Sequence, residues 1–390
     1  MKLVNKILAI AMLLLSFDIQ CHAVSQDAAT HLTLLSQKFT NRFLQNGYAQ
    51  SDIDNFVNYI KSGNIKSAFY IYAFKNAAWT MYPIVPERKD SYPHTRFATE
   101  LLTWLNTHVT KDIKDGLSFV YMPQEPVHEC GFHDQKQQLE LKALFEKCPI
   151  LLTCTHPNIL WSESAILVPD PYIMSANYQA TIDEILQKRE FTYKNRMPFV
   201  FFRGAISGPH SYVYRMESLG NDDRLKLFML SKNTPFINAM ITSDDCLTIP
   251  ERVTADFKAW YQQNLADKKG TQTNFIEHAR HKYLISLDGY GSAWSRVPYI
   301  LFTGSVLFLR ADCKQYFYSL LGNMHTHVTI DPGLTNLTAV YAHLEQNPDV
   351  AESIANNGHA FANNYLTKDA INMYLSLVIR DLNNAFRVSI

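Results

Sequence analysis

The chain has 390 residues, and 47% of them are hydrophobic, which is enough apolar material for more than one core. Its 36 basic and 36 acidic residues balance, so the chain has no global electrostatic reason to bind nucleic acid or an anionic membrane surface. These properties exclude a polybasic nucleic-acid-binding protein and favour a globular protein of two domains.

The first 23 residues have the pattern of a secretory signal peptide. Lys2 and Lys6 precede the apolar run Ile7–Phe17, and the small residue Ala23 suits a cleavage site. The run is too short to span a bilayer, which needs about 20 apolar residues, and an uncleaved anchor is the alternative. We therefore expect an exported protein with no integral membrane segment after cleavage. The ending 387–390 is not a retention signal, which favours a periplasmic or secreted protein over a lumenal one.

In the N-terminal half, helical periodicity is followed by shorter apolar runs. The periodicity predicts a helix-rich beginning, with helices over Ala28–Gln45, Ser51–Ser62 and Arg96–Val109. Strands and helices are then predicted in alternation at Leu117–Met122, Glu140–Glu146, Ile150–Cys154, Ile166–Val168 and Ala180–Lys188. The charged stretch Gln187–Arg196 is interpreted as a linker, so that residues 24–195 form the first domain.

The C-terminal half, residues 196–364, repeats the alternation from the strand Phe199–Phe202 onwards. Arg203 ends this strand, and Arg224 precedes the helix-like run Leu225–Leu230. An arginine at a helix start opposes the helix dipole, which favours a bound anion there, although a carboxylate partner or solvent are alternatives. The alternation predicts parallel sheets covered by helices, and hence two α/β domains with a ligand cleft between them.

The segment Lys282–Leu309 has the order strand, small-residue turn, helix, strand, with Arg296 in the turn. Such a turn binds phosphate because free backbone N–H groups and the helix dipole both favour an anion, and a guanidinium can bind two phosphate oxygens. Gly289-Tyr290-Gly291 resembles the start of a dinucleotide-binding fingerprint, but Trp294 replaces its third glycine. An NAD-dependent oxidoreductase is therefore disfavoured, and the segment predicts a nucleoside-diphosphate site.

Cysteines offer two further interpretations. Those that follow the signal segment are Cys130, Cys148, Cys154, Cys246 and Cys313. An oxidising compartment favours one or two disulfides, sought first among the first three cysteines, and the odd count leaves a free thiol. Together with His133 and His156 the same group could bind zinc, but the spacing matches no familiar zinc module. The Asp-x-Asp pattern at residues 52–54 lies in a predicted helix, so no metal site is predicted.

Four pieces of the second half, in order, resemble glycosyltransferase family 90, which includes Rumi-like protein O-glucosyltransferases and enzymes that modify capsules or lipopolysaccharide. The pieces are Phe202-Arg203-Gly204 with Asp223-Arg224, then His281–Leu284 with Asp288-Gly289 and Ser292–Arg296, then Thr303–Phe308, and last a tail around Leu337, Ala351, Ile354, Asn357-Gly358 and Phe361-Ala362. Weaker likeness reaches back to about Leu117. Each piece alone is weak, whereas the ordered set is fairly specific.

The resemblance implies a GT-B architecture, in which two Rossmann-like domains face each other across a cleft. Residues 196–364 would bind a UDP-sugar, residues 24–195 would present a glycan or protein acceptor, and a helix in residues 365–390 would pack back on the first domain. The donor-binding residues would be Arg203, Arg224, Gly289, Gly291, Ser292, Ser295 and Arg296. Their cations would stabilise the departing diphosphate without a metal or any other cofactor.

The sequence departs from the family at the catalytic base. Rumi-like enzymes have an aspartate two residues before a proline at this point, and alignment on Pro126 puts Gln124 there. The neighbouring Glu125 is the predicted base of an inverting transfer, and Asp170 is a second cleft carboxylate on the acceptor side. The alternative is an exported carbohydrate- or nucleotide-binding protein that has the family fold without transfer activity.

Overall fold

The computed structural model describes residues 24–64, 68–85, 94–123, 135–157, 159–187, 192–207, 214–249, 252–289 and 291–388. The segment interpreted as a signal peptide, residues 1–23, therefore lies outside the described residues, as does Glu125. Among the helices within these ranges, none is both long enough and apolar enough to cross a membrane.

The N-terminal domain begins with two helices that precede its sheet. Its helices are α1 (Gln26–Asn46), α2 (Gln50–Tyr59), α3 (His94–His108), α4 (Gln135–Lys147), α5 (Pro171–Met174) and α6 (Ala176–Gln187). Its strands are β1 (Tyr70–Lys75), β2 (Ala78–Pro83), β3 (Ser118–Met122), β4 (Ile150–Leu152) and β5 (Ile166–Leu167). The strands form one sheet in the order β2-β1-β3-β4-β5, parallel from β3 to β5.

An antiparallel hairpin at one edge of this sheet was not predicted from the sequence. β1 and β2 are joined by Asn76 and Ala77, both with positive φ (52° and 59°), which is the geometry of a type I′ turn. Tyr70, Tyr72 and Phe74 alternate with more exposed residues along β1, as expected for a strand with one buried face. The prediction of a helix-rich beginning thus describes α1 to α3 but misses the hairpin between them.

The C-terminal domain has a second sheet, in which every strand pair is parallel. Its helices are α7 (Asp223–Asn233), α8 (Ala255–Asn264), α9 (Phe275–His278), α10 (Arg296–Thr303), α11 (Leu337–Gln346) and α12 (Pro348–Tyr365). Its strands are β6 (Met197–Gly204), β7 (Ile237–Ile241), β8 (His281–Leu287), β9 (Val306–Arg310) and β10 (Val328–Thr329). Their order is β10-β9-β8-β6-β7, so the chain changes direction across the sheet between β8 and β6. Ligands commonly bind beyond the carboxyl ends of strands at such a point.

The last described helix, α13 (Lys368–Ala385), returns to the N-terminal domain and packs along α1. Thr367 caps its first turn by accepting a hydrogen bond from the backbone of Ala370. The buried carboxylate of Asp381 accepts hydrogen bonds from Ser36 (2.8 Å) and Thr40 (2.9 Å) of α1. Buried residues of α13 belong to the same core as the N-terminal sheet. The predicted fold class, two parallel-rich α/β domains, is confirmed.

Candidate functional site

The first cation of the site, Arg224, lies in the first turn of α7. Asp222 caps this helix, because one carboxylate oxygen accepts hydrogen bonds from the backbone of Arg224 (2.9 Å) and Leu225 (3.1 Å). Only 7% of Arg224 is exposed. A cation at the positive end of a helix is opposed by the helix dipole, so its position depends on contacts made elsewhere.

Those contacts are backbone carbonyls at the ends of two neighbouring strands. The Arg224 guanidinium donates from Nε to Asp288 O (2.9 Å), from Nη2 to Leu287 O (3.0 Å) and from Nη1 to Ala205 O (3.0 Å), and it also donates to the Ser207 hydroxyl. The side chain therefore ties the segment after β6 to the end of β8. These four acceptors are uncharged, while the carboxyl groups of Asp222 and Asp288 interact electrostatically with the guanidinium.

The second cation, Arg296, begins α10 and differs from Arg224 in its partners. Its guanidinium carbon lies 4.7 Å from the ring centroid of Phe202. Within the described part of the chain, it has neither a hydrogen-bond acceptor nor an ion-pair partner. Part of the side chain is exposed to solvent, yet burial of the guanidinium, followed by the nearby charge of Arg224, lowers the pKa of Arg296 to about 9. A bound anion would relieve both effects.

Two glycines leave room for these arginines. A Cβ atom on Gly289 would lie 2.9 Å from Nη2 of Arg224. A Cβ atom on Gly204 would lie 2.6 Å from the Phe202 ring and 3.4 Å from Nη2 of Arg296. Glycine is required where a backbone approaches another group this closely. The small residues seen in the sequence thus allow both guanidinium groups to approach the strand ends.

Gly289, Gly291, Ser292 and Ser295, which were predicted to bind the donor, lie in the turn between β8 and α10, the donor turn. The backbone N–H of Gly289 donates to the carbonyl of Gly291 (2.9 Å), which closes the turn. The buried Ser292 hydroxyl accepts a hydrogen bond from Nε2 of Gln315 (3.1 Å), and the same nitrogen donates to Trp294 O (2.9 Å). Gln315, which the sequence analysis did not identify, therefore holds this turn in place.

Ser295 precedes Arg296 directly and lies in a half-buried position. Its side chain makes no capping hydrogen bond to α10, although its carbonyl accepts from the backbone of Tyr299 (3.1 Å). The preceding residue, Trp294, has φ 49°, an uncommon value for a residue with a side chain. The turn therefore holds its shape against local backbone preference.

Arg203 lies on the other face of β6 from this pair. Side chains alternate along a strand, so Arg203 shares a face with Phe201, over whose ring its guanidinium lies at 4.1 Å, whereas Phe202 faces Arg224 and Arg296. Its nitrogens donate to Asn238 O (2.9 Å) and Asn238 Oδ1 (3.0 Å). The structure brings Arg224 and Arg296 together beside Phe202, while Arg203 projects from the opposite face of β6, where His278 interacts electrostatically with both Arg203 and Arg296.

On the N-terminal side, Asp170 follows β5 and caps α5. Oδ1 accepts hydrogen bonds from the backbone of Tyr172 (2.9 Å) and Ile173 (3.2 Å), while the buried Oδ2 has no hydrogen-bond partner within the ranges that the structure describes. Burial raises the pKa of Asp170 to about 7, and the two backbone hydrogen bonds only partly oppose this. The carboxylate interacts electrostatically with Tyr316 and Tyr318 of the other domain, so it lies close to the domain boundary.

A cavity of about 630 Å³ opens between the domains. Its walls include Lys38 and Glu163 from the N-terminal domain, Arg310 at the end of β9, and Gln315 from the segment that follows this strand. Since Gln315 also holds the donor turn, the cavity adjoins the predicted donor site. This volume is in the range of pockets that bind small molecules.

The described residues contain four of the five cysteines that follow the signal segment. Cys148, Cys154, Cys246 and Cys313 form no disulfide with one another in the described part of the chain, and Cys130 lies outside it. In the regions covered by the structure, no group of three or more histidine, cysteine or acidic side chains could hold a metal ion. His133, part of the alternative zinc set, lies outside those regions.

Comparison with known proteins identifies relatives of the chain. A family model described as glycosyl transferase family 90 matches residues 161–389. Protein O-glucosyltransferase 1 from Homo sapiens is 22% identical over 196 residues, which are 49% of this chain and 43% of that protein, and the Bos taurus protein matches to the same extent. The matched segment thus spans less than half of each relative.

Solved structures also resemble the chain at a low level. Anabaena HepE in complex with UDP and glucose has a TM-score of 0.39 at 10% identity, over 73% of this chain and 76% of that one. Sucrose-phosphate synthase from Thermosynechococcus elongatus has a TM-score of 0.39 at 12% identity, over 73% and 72%.

Proposed function

Because the chain belongs to glycosyl transferase family 90, we propose that it transfers a hexose or pentose from a UDP-sugar to a hydroxyl group of a glycan, lipopolysaccharide or protein acceptor. The observation that carries the donor assignment is the pair Arg224 and Arg296. One guanidinium is anchored on carbonyls at the strand ends, and the other lies beside it without an acceptor among the described residues. A diphosphate is an anion that two adjacent cations can bind together.

The same pair would stabilise the transition state. When the bond between the sugar and UDP breaks, negative charge grows on the diphosphate oxygen that leaves. Arg296 at the start of α10 and the dipole of that helix favour this charge, as does the nearby Arg224. Because the cations are held in place before the reaction, they lower the barrier more than they strengthen ground-state binding. We therefore propose transfer that needs no metal ion.

The acceptor must be deprotonated as it attacks. We propose inversion, in which the acceptor oxygen attacks the anomeric carbon from the face opposite UDP while a carboxylate takes its proton. Glu125 is the proposed base, by its place after β3 in the sequence. Asp170 is the second candidate, because its Oδ2 has no hydrogen-bond partner among the described residues and because burial raises its pKa to about 7, which suits proton transfer near neutral pH.

The first test is calorimetric titration of the protein with UDP in the presence of EDTA, beside hydrolysis of a panel of UDP-sugars. Arg296→Ala should weaken UDP binding and slow hydrolysis of the preferred donor about 100-fold. Arg280→Ala is the matched control, since Arg280 is an exposed arginine paired with Glu277 at 3.2 Å. Wild-type protein that does not bind UDP, or equal binding by Arg296→Ala, would overturn the donor assignment.

The base is tested separately, on the variants Glu125→Gln and Asp170→Asn. The true base should lose turnover by at least about 100-fold while UDP affinity stays unchanged, because the base contacts the acceptor and not the diphosphate. Full activity in both variants would exclude both carboxylates. UDP binding without turnover, once candidate acceptors have been supplied, would favour the binding-protein alternative.

We also propose that the protein is exported, on the basis of the pattern in residues 1–23. N-terminal sequencing of the protein recovered from its host should begin after Ala23 if the segment is a cleaved signal. Recovery with an intact N-terminus would favour the uncleaved anchor or a protein that is not exported.

A further inference from the structure

Two buried cysteines meet at the boundary between the domains. Cys154 follows β4 of the N-terminal sheet, Cys313 follows β9 of the C-terminal sheet, and neither has any exposed surface. Their neighbours, Thr155 and Lys314, exchange two backbone hydrogen bonds of 2.9 and 3.0 Å in an antiparallel bridge. The two segments that carry the cysteines are therefore fixed against each other.

The two thiols are also in hydrogen-bond contact. The hydrogen bond from Cys313, and then those from the backbone and hydroxyl of Ser292, lower the pKa of Cys154, although burial opposes this. Because the thiolate is the nucleophile in thiol–disulfide exchange, these donors favour reaction at Cys154. The contact brings together two sulfur atoms whose residues are far apart in the sequence.

The other described cysteines have different surroundings. Cys148 is buried at the end of α4, and burial raises its pKa well above the ordinary value. The thiol of Cys246 donates to the carbonyl of Ile206 at 3.1 Å, and burial raises its pKa to about 11. For these two cysteines, no contact with another cysteine is present in the described part of the chain. Among the described cysteines, only Cys154 and Cys313 therefore contact each other.

We propose that Cys154 and Cys313 are a disulfide site that joins the two domains covalently. The sequence alone had pointed to Cys130, Cys148 and Cys154 as the natural group for a disulfide. The position of Cys313 beside Cys154 favours a pairing that spans the two domains instead. This proposal does not depend on the proposed function, because it rests on the two thiols and the backbone bridge beside them.

The oxidant would be a low-molecular-weight disulfide, such as oxidised glutathione, which reaches Cys154 while the chain folds, because both thiols are buried in the folded protein. The Cys154 thiolate attacks one sulfur of the oxidant, forms a mixed disulfide and releases one thiolate. The Cys313 sulfur then attacks the Cys154 sulfur, forms the bond between the two cysteines and releases the second thiolate. The two protons of the protein thiols pass to the two released thiolates, so two cysteines are oxidised and one disulfide is reduced to two thiols.

The crosslink would lie directly beneath the donor turn. Cys154 contacts Ser292 in this turn, and the backbone N–H of Cys313 donates to Asp288 Oδ2 at 2.8 Å. Two residues after Cys313, Gln315 holds the turn at Ser292 and Trp294. A covalent bond between the cysteines would therefore fix the spacing of the domains at the floor of the cleft.

The experiment is peptide mapping of the full-length protein by mass spectrometry under non-reducing conditions. Reduced, urea-unfolded protein is refolded by dilution into buffer with oxidised glutathione, the remaining thiols are alkylated after renewed unfolding, and linked peptides are identified after digestion. The expected product is a peptide pair joined through Cys154 and Cys313, 2 Da lighter than the two reduced peptides together. The same treatment in 8 M urea should give a much lower yield of this pair, because only the folded chain holds the thiols together.

Controls use the other cysteines and the melting temperature. Cys148→Ser, which removes a buried thiol of the same domain, should keep the crosslink, whereas Cys154→Ser should leave Cys313 open to alkylation after unfolding. Oxidation of the wild-type protein should raise Tm by roughly 5 °C or more, reversibly with dithiothreitol, because the bond closes a long loop of the unfolded chain. The proposal is overturned if both thiols stay alkylatable in excess oxidant, if Cys154 is found linked to another cysteine, or if the yield in urea equals that of the folded protein. The mapping of wild-type protein decides the matter even if a serine variant fails to fold.

Discussion

The two domains carry different ionisable groups where their strands end. In the C-terminal domain, Arg224 and Arg296 gather at the carboxyl ends of β6 and β8. In the N-terminal domain, the corresponding edge carries the carboxyl group of Asp170, after β5. Burial disfavours the charged form of the side chain on each side, because it lowers the pKa of Arg296 and raises that of Asp170. A carboxyl group with a raised pKa is not confined to one side, since burial also raises the pKa of Asp288, after β8, to about 7. The difference lies in the two guanidinium groups, which support the proposal that the C-terminal domain binds the anionic donor.

A second contrast lies within the cationic side. Arg224 donates to three backbone carbonyls, whereas Arg296 has no acceptor among the residues that the structure describes. Buried donors without partners are destabilising, so the fold maintains Arg296 at some expense. Arg224 thus stabilises the strand ends by hydrogen bonds and adds positive charge to the site, whereas Arg296 adds mainly positive charge.

The largest expected effect separates these two arginines. Arg224→Met should lower the free energy of unfolding by about 3 kcal/mol or more, because three buried carbonyls lose their donor. Arg296→Met should change it by less than about 1 kcal/mol in either direction, because it removes an unpaired cation from a partly apolar site. Urea unfolding of both variants measures the difference. Equal losses would show that Arg296 also has a structural role.

The next effect concerns Asp170 and pH. In the folded protein its carboxyl group stays protonated up to about pH 7, whereas in the unfolded chain it ionises near pH 4. The protonated carboxyl group therefore makes its full contribution to the free energy of unfolding below about pH 4. This contribution is lost as the pH rises to about 7. Relative to Asp170→Asn, the wild-type protein should lose up to about 1.4 kcal/mol per pH unit across this window.

Urea unfolding at pH 5, 6 and 7 measures this dependence for both proteins. Asp183→Asn, on the exposed side of α6, is the control and should show the same pH dependence as the wild-type protein. A constant difference between wild type and Asp170→Asn at all three pH values would mean that the carboxyl group is not neutral in the folded protein.

The smallest effect concerns Arg203. Arg203→Met should cost about 1 to 2 kcal/mol of stability through its lost hydrogen bonds to Asn238, and should leave UDP affinity unchanged. Thermal unfolding and UDP titration on the same samples measure both quantities. If UDP affinity falls together with stability, Arg203 shapes the donor site as the family resemblance implies.

Helices and strands could be predicted from the sequence where apolar residues recur with helical spacing or form short continuous runs. The strand Tyr283–Ile285 and the helix from Pro298 were expected and lie within β8 and α10. The hairpin of β1 and β2 was missed because its turn, Asn76-Ala77, lacks the glycine that usually marks a type I′ turn. The alternation of Tyr70, Tyr72 and Phe74 was the signal that could have revealed it.

The candidate site was predicted less completely, for a physical reason. Position in the sequence identified Arg224 and Arg296, but it does not show which guanidinium already has partners, since the acceptors of Arg224 are backbone carbonyls of distant residues. The face of Arg203 could have been predicted, because strand alternation places it opposite Phe202. The role of Gln315 could not be predicted, because the local sequence does not show that a loop glutamine donates hydrogen bonds to a turn about 20 residues away.

The position of α13 in the chain has a consequence during synthesis. The residues that cover one side of the first domain are made after those of the second domain. Until then, the apolar face of α1, including Leu32 and Leu35, lacks the helix that buries it. Domains at the N-terminus usually fold first as the nascent chain emerges, but here the first domain can be completed only after the second. The contacts between α1 and α13 therefore join two segments that the second domain separates in the sequence.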